Sequence, residues 1–97
     1  MQKYEALYII KPDVDEEARA ALIQKFAAIV TDNGGEIVNI DEWGKRKLAY
    51  AIDYITEGYY VLMNFDAKPE LPAELERNFR ISEFIMRYMV VKRIEKK

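Results

Sequence analysis

The sequence predicts an α+β sandwich in which two helices cover one face of a four-stranded antiparallel sheet. Three observations lead to this prediction. The 97 residues suit a single domain, 1–97, with one core. Four stretches rich in Tyr, Ile, Val and Phe are typical of strands, and two stretches with apolar residues at helical spacing are typical of helices. Their order, strand-helix-strand-strand-helix-strand, is that of a ferredoxin-like sandwich.

The first half of the chain is predicted to form a strand over 3–10 and then a helix. Asp15 is expected to cap the helix, and Gly34 is expected to end it in the left-handed conformation. Between them, apolar residues recur at helical spacing: Ala18, Leu22, Phe26, Ile29 and Val30. A long second strand follows over 36–52, and Gly44 in its middle predicts a bulge or bend.

The second half is predicted to begin with a turn over 53–58 and a third strand over 59–67. Pro72 suits the first position of the second helix. Apolar residues repeat every four positions along this helix: Leu71, Leu75 and Phe79. The fourth strand is expected over 84–94. Right-handed crossovers place strands one and three in the centre of the sheet and strands two and four at its edges.

Alternation along the strands assigns residues to the two faces of the sheet. One set is expected to face the helices, beginning with Tyr4, Ala6, Tyr8 and Ile10. The opposite, open face would carry Leu7, Ile9, Tyr60, Leu62, Ile85, Met89 and Val91. Together they would make a patch of roughly several hundred Å², which favours a protein partner or self-association over shielding by long polar side chains or a terminus. The predicted partner-binding residues are Leu7, Ile9, Tyr60, Leu62, Met89 and Val91.

Positive charge is concentrated in two places, although the net charge is −2. The stretch "GKRK" in the second strand has three adjacent cations, and the last strand adds more. The residues predicted to bind nucleic acid, and RNA once the family resemblance given below is considered, are Lys45, Arg46, Lys47, Arg87, Lys92 and Arg93. Such cations can neutralise phosphates without reading base sequence. The alternative is an edge strand charged to prevent edge-to-edge pairing, but three adjacent cations exceed what that protection needs.

Catalysis is not expected from this composition. The chain contains no histidine and no cysteine, so the usual general base and thiolate chemistry are absent. The acidic residues Asp13, Asp15, Glu16 and Glu17 lack the spacing of a calcium loop and are better explained by helix capping. No cofactor, metal, small-molecule substrate or membrane partner is predicted. The third strand, "EGYYVLMNF", matches the RNA-recognition-motif signature weakly, so base stacking on the sheet in that manner is not expected.

Three stretches resemble one protein family. "KYEALYIIKPDVDEE", "WGKRKLAYAI" and "MRYMVVK" are similar to the bacterial small-subunit ribosomal protein six family, and the block G-x-R-x-L-A-Y-x-I at 44–52 is the most specific part. The resemblance implies a structural protein of the cytoplasmic ribosome without catalytic activity. It also implies that the chain binds 16S ribosomal RNA together with a small basic protein, small-subunit ribosomal protein eighteen.

The matching block gives expectations for single residues. Arg46 is the expected RNA contact, and Leu48, Tyr50 and Ile52 are expected to set the packing of the long strand. The alternative, from another functional class, is a regulatory or oligomerising ferredoxin-like module that uses its open face and binds no RNA.

Overall fold

The computed structural model of the protein describes residues 1–52 and 54–93. The elements are β1 (Gln2–Ile10), α1 (Glu16–Asp32), β2 (Glu36–Ile52), β3 (Ile55–Ala67), α2 (Leu71–Ile81) and β4 (Ile85–Lys92). The sheet order is β2-β3-β1-β4, with every adjacent pair antiparallel. The predicted ferredoxin-like order and the central position of β1 and β3 are confirmed. Asp53 of the predicted turn and the predicted strand end at Ile94 lie outside the described residues.

Two predicted boundaries are wrong. β3 begins at Ile55 rather than at 59, because its first residues pair with the far end of β2: Ile55 lies opposite Ile52, and Glu57 lies opposite Lys47. Pairing across the hairpin therefore outweighs the turn-like local composition. In α2, Pro72 is the second residue rather than the first. Its missing N–H costs nothing there, since the first N–H groups of a helix have no partner within it.

Helix α1 begins and ends where its capping residues predict. The backbone N–H of Ala18 donates to Oδ1 of Asp15 at 2.7 Å, so Asp15 satisfies one of the first unpaired N–H groups. At the other end, Gly34 has φ of +82° and donates its N–H to the Thr31 carbonyl, while Gly35 donates to the Val30 carbonyl. This pair of bonds is a Schellman motif, which directs the chain back towards the sheet.

The core lies between the helices and one face of the sheet, as the strand alternation predicts. Four β1 residues face it and are at most 7% exposed: Tyr4, Ala6, Tyr8 and Ile10. Phe79 of α2 is the centre of an aromatic cluster, with its ring centroid 4.5 Å from Phe26, 4.9 Å from Tyr8 and 5.5 Å from Tyr88. These rings join both helices to β1 and β4, so one cluster holds the two layers together.

The predicted bulge in β2 is confirmed at Gly44. Glu42 pairs with Val61 and Gly44 pairs with Tyr60, so β2 has one extra residue, Trp43, at this point. Gly44 takes φ of +86°, a conformation that glycine adopts without steric cost. The extra residue reverses the alternation of the β2 residues from Gly44 to Lys47, and the register shifts again between Lys47 and Ile52.

A second register shift corrects the face assigned to one residue. Ile85 is predicted on the open face, but it lies opposite Ile10 and packs against the core. The cause is an extra residue in β4: Ile9 pairs with Arg87 while Ile10 pairs with Ile85, and Met86 lies between them. The alternation of side chains between the two faces therefore holds from Arg87 onward but does not continue back to Ile85.

The β2–β3 hairpin extends past β1 and covers one end of the open face. Ile9 lies on that face but is only 8% exposed. The absence of a side chain at Gly58 allows the hairpin to lie close to Ile9. A Cβ at this position would overlap Cγ2 of Ile9 and would come within 3.6 Å of Leu48 and Met86. Leu48 lies beside Gly58 at this point, and its role in packing the long strand stays a prediction.

Gly58→Ala is expected to lower the free energy of unfolding by about 1–3 kcal/mol, since the added methyl overpacks a well-filled site. Chemical denaturation measures this change. The β-branched side chain of Ile9 has little freedom to move aside. In an Ile9→Ala background the same substitution should cost clearly less, because the overlapping methyl is gone. Equal costs in the two backgrounds would show that the contact with Ile9 is not the cause.

Candidate RNA and protein interface on the open face

The centre of the open face is apolar. Leu7 lies opposite Leu62 on one side and Met89 on the other, so the three form a row across β3, β1 and β4. Leu7 and Leu62 are half-buried, whereas Met89 is 55% exposed and Val91 is 42% exposed. No element among the described residues packs over this row, which makes it an uncovered apolar surface that a partner could bury.

All six predicted partner-binding residues lie on the open face, but they are not equally accessible. Leu7, Leu62, Met89 and Val91 belong to the apolar centre. Tyr60 is half-buried beside it. Ile9 is covered by the hairpin of the chain itself, so it supports the surface rather than presenting a side chain. Their role in binding a partner stays a prediction.

Beside this centre, Trp43 contacts both Tyr60 and Arg46. The rings of Trp43 and Tyr60 are 6.2 Å apart and nearly parallel, at 9°. The indole Nε1–H of Trp43 donates to Oδ2 of Asp41 at 3.1 Å. The guanidinium carbon of Arg46 lies 5.1 Å from the Trp43 ring centroid, within the range of a cation–π contact. We call this arrangement the Trp43–Arg46 stack.

Arg87 makes a similar contact at the other end of the hairpin. Its guanidinium carbon lies 5.7 Å from the ring centroid of Tyr50, which is 69% exposed. Arg87 belongs to β4, whereas Tyr50 belongs to the far end of β2, so the hairpin crosses the open face from one edge towards the other. In a flat sheet, the separation of the β2 cations from the β4 cations would be the number of intervening strands multiplied by the strand spacing. The crossing hairpin brings Tyr50 of β2 to Arg87 of β4, so this estimate does not apply here.

The six predicted RNA-binding residues do not share one surface. Arg46 lies opposite Gly58 on the open side, whereas the register places Lys45 and Lys47 on the helix face. Lys92, opposite Tyr4, also follows the helix face. Arg93 is on the open side, but its Nε lies 3.8 Å from a carboxylate oxygen of Glu5. Arg46 and Arg87 are therefore the two of the six that are held against aromatic rings on the open side.

On the helix face, a further cluster ties α1 to the bulged strand. Tyr59 donates its hydroxyl hydrogen to Oε1 of Glu42 at 2.8 Å. The Arg19 guanidinium carbon lies 4.0 Å from the Tyr59 ring centroid. Partial desolvation, with a smaller effect of the Glu42 carboxylate, raises the pKa of Tyr59 above its ordinary value, so the hydroxyl stays protonated and donates at neutral pH. Sequence reasoning missed this cluster, because its members are distant in the chain.

The described residues contain no group of three or more His, Cys, Asp and Glu side chains that could hold a metal ion. Within the same residues, no helix has the length and apolarity to cross a membrane. Asp15 of the acidic stretch acts as the α1 cap, as the sequence predicts.

A sheet with helices on one face and an uncovered apolar centre beside exposed arginines on the other defines a ferredoxin-like binding domain.

Comparison with known proteins identifies the family within this class. Residues 3–92 match the family model for ribosomal protein S6. The chain is 56% identical to the small ribosomal subunit protein bS6 of Clostridium novyi over 91 residues, which cover 94% of this chain and 96% of that protein. It is 50% identical to the bS6 protein of Caldanaerobacter subterraneus, with 95% of this chain and 97% of that protein covered. The chain belongs to the ribosomal protein S6 family.

Solved structures agree with this assignment. The crystal structure of the 30S ribosomal protein S6 from Thermotoga maritima has a TM-score of 0.90 and 32% identity, covering 95% of this chain and 87% of that one. A protein from Arabidopsis thaliana with 14% identity and a TM-score of 0.57 shows the fold alone. Family membership makes the protein a structural component of the small subunit of the cytoplasmic ribosome and not an enzyme.

Proposed function

We propose that the protein binds 16S ribosomal RNA together with small-subunit ribosomal protein eighteen. The observation that carries the proposal is the composition of the open face, where an uncovered apolar centre lies next to the exposed guanidinium of Arg46. An apolar centre suits a protein partner, and arginines at its margin suit phosphates. Family membership favours this function over an oligomerising module that binds no RNA.

The net charge of −2 supports a basic partner as part of the proposed complex. Non-specific RNA affinity depends on how many phosphates a protein neutralises, and residues 1–52 and 54–93 place only a few cations on any one surface. A basic protein on the apolar centre would add positive charge beside Arg46 and Arg87. The two proteins together would then neutralise more phosphates than this chain alone.

Removing Arg46 from the ternary complex tests the proposal. Arg46→Ala is expected to lower the slope of log K against log salt by about 0.7–0.9 units, the value for one lost phosphate contact. Affinity should fall alike for different RNA sequences, because phosphate contacts carry no base information. Titrations at several salt concentrations, with the basic partner present, measure both quantities.

Arg77→Ala is the matched control. Arg77 lies on α2 and forms an ion pair with Glu74 at 2.7 Å, so its removal changes the net charge equally but far from the open face. The slope for this variant should match the wild type. If Arg46→Ala and Arg87→Ala both left the slope unchanged, the cations would serve to protect the edge strand instead. Failure of the protein to co-sediment with ribosomes would favour the oligomerising module.

A further inference from the structure

We infer that Trp43 is a positioning residue that holds the Arg46 guanidinium ready for an RNA phosphate, an inference that rests on the proposed function. In a regular strand, residues three apart point to opposite faces. The bulge at Gly44 removes that separation, because the extra residue brings Trp43 and Arg46 to the same side of β2. The bulge is therefore what allows the Trp43–Arg46 stack to form.

The Trp43 ring is held in place from two directions. It stacks on Tyr60 of the central strand β3, and its indole N–H donates to Asp41 two residues earlier in β2. Both neighbours belong to the paired part of the sheet, where Asp41 lies opposite Leu62. A ring fixed by a stack and a hydrogen bond has little freedom to turn, so it offers Arg46 a defined platform.

The N–H donors of Arg46 are available to a ligand. The side chain makes a cation–π contact with Trp43 through its positive charge, and a guanidinium has five N–H donors in a rigid fork. Among residues 1–52 and 54–93, Arg46 has no carboxylate partner that would occupy those donors. The side chain is exposed but restrained, and a phosphate oxygen pair matches its fork geometry. Binding then orders less of a long flexible side chain than an unrestrained arginine would require.

The test compares four variants in the ternary complex with RNA and the basic partner: Trp43→Leu, Trp43→Phe, Arg46→Ala and the double substitution Trp43→Leu/Arg46→Ala. Trp43→Leu is expected to weaken RNA binding about two- to fivefold, the effect of an exposed cation–π contact. Trp43→Phe should retain most of the affinity, because it keeps a ring. In the double variant, Trp43→Leu should add no further loss, since there is no guanidinium left to position.

Fluorescence offers an independent readout, because Trp43 is the only tryptophan in the chain. Arg46→Ala should shift the Trp43 emission in the free protein, and RNA should alter it in the wild type. If Arg46→Ala weakened RNA binding while Trp43→Leu did not, or if their effects were additive, the inference would fail and the proposed function would stand. If neither variant affected RNA binding, the inference would fail, and the proposed RNA contact of the open face would fail with it if Arg87→Ala also had no effect. Weaker binding of the protein partner by Trp43→Leu in the absence of RNA would assign the stack to the protein interface and overturn the inference.

Discussion

Leu62→Asp is expected to weaken binding of the protein partner by more than ~1 kcal/mol, since it places a charge in a contact that becomes desolvated. Leu62 lies in the central strand β3, opposite Leu7 and in the middle of the apolar centre of the open face. The side chain is only half-buried in the free domain, so the carboxylate keeps access to water and the fold should change little in stability. Titration calorimetry with the partner measures the loss.

The neighbouring residue is the control for this substitution. Val61 is 0% exposed and faces the helices, so Val61→Asp would bury an unpaired carboxylate and should unfold the domain. Thermal unfolding of the two variants separates the effects. A domain that tolerated Val61→Asp but lost its fold with Leu62→Asp would mean that the two faces had been assigned the wrong way round.

Phe79→Ala is expected to lower the free energy of unfolding by about 3–5 kcal/mol, the usual cost of removing a buried aromatic ring. Phe79 is 1% exposed and contacts the rings of Tyr8, Phe26 and Tyr88. Its loss would leave a cavity between α2 and the sheet and would remove the link between α1 and β4. Since domains of this kind have about 5–15 kcal/mol of stability in total, the variant should be close to unfolding.

Phe84→Ala provides the comparison, because the same ring is removed from a residue that is 48% exposed. Its cost in a urea titration should be clearly smaller than that of Phe79→Ala, since less apolar area returns to water and no enclosed cavity forms. Similar costs for the two substitutions would show that the aromatic cluster around Phe79 does not hold the two layers together.

Most of the fold could be predicted from local patterns. Asp15 and Gly34 mark the ends of α1 because capping depends on the chemistry of single residues next to the helix. The alternation in β1 assigns Tyr8 and Leu7 to opposite faces, and the register confirms it because β1 has no extra residue between Gln2 and Ile9. Where a strand is regular, a period of two residues is enough to assign its faces.

The candidate site was predicted only in part. The cations of "GKRK" are visible in the sequence, and their alternation across the strand follows from its geometry. Which of them shares a side with Trp43 depends on the bulge at Gly44, and a glycine indicates a bulge without saying which residue is extra. The contact of Arg87 with Tyr50 joins residues 37 positions apart, and no local pattern predicts it.

By itself, the sequence determined the order of the elements, the helix caps, the core face of β1 and the concentration of positive charge in β2. These features depend on neighbouring residues and on regular periods. Only the tertiary structure decided which face each β2 residue after Trp43 occupies, that Ile85 packs against the core, and that the hairpin buries Ile9. Each of these depends on how one strand registers against another, and a single extra residue in a pairing exchanges the two faces of everything beyond it.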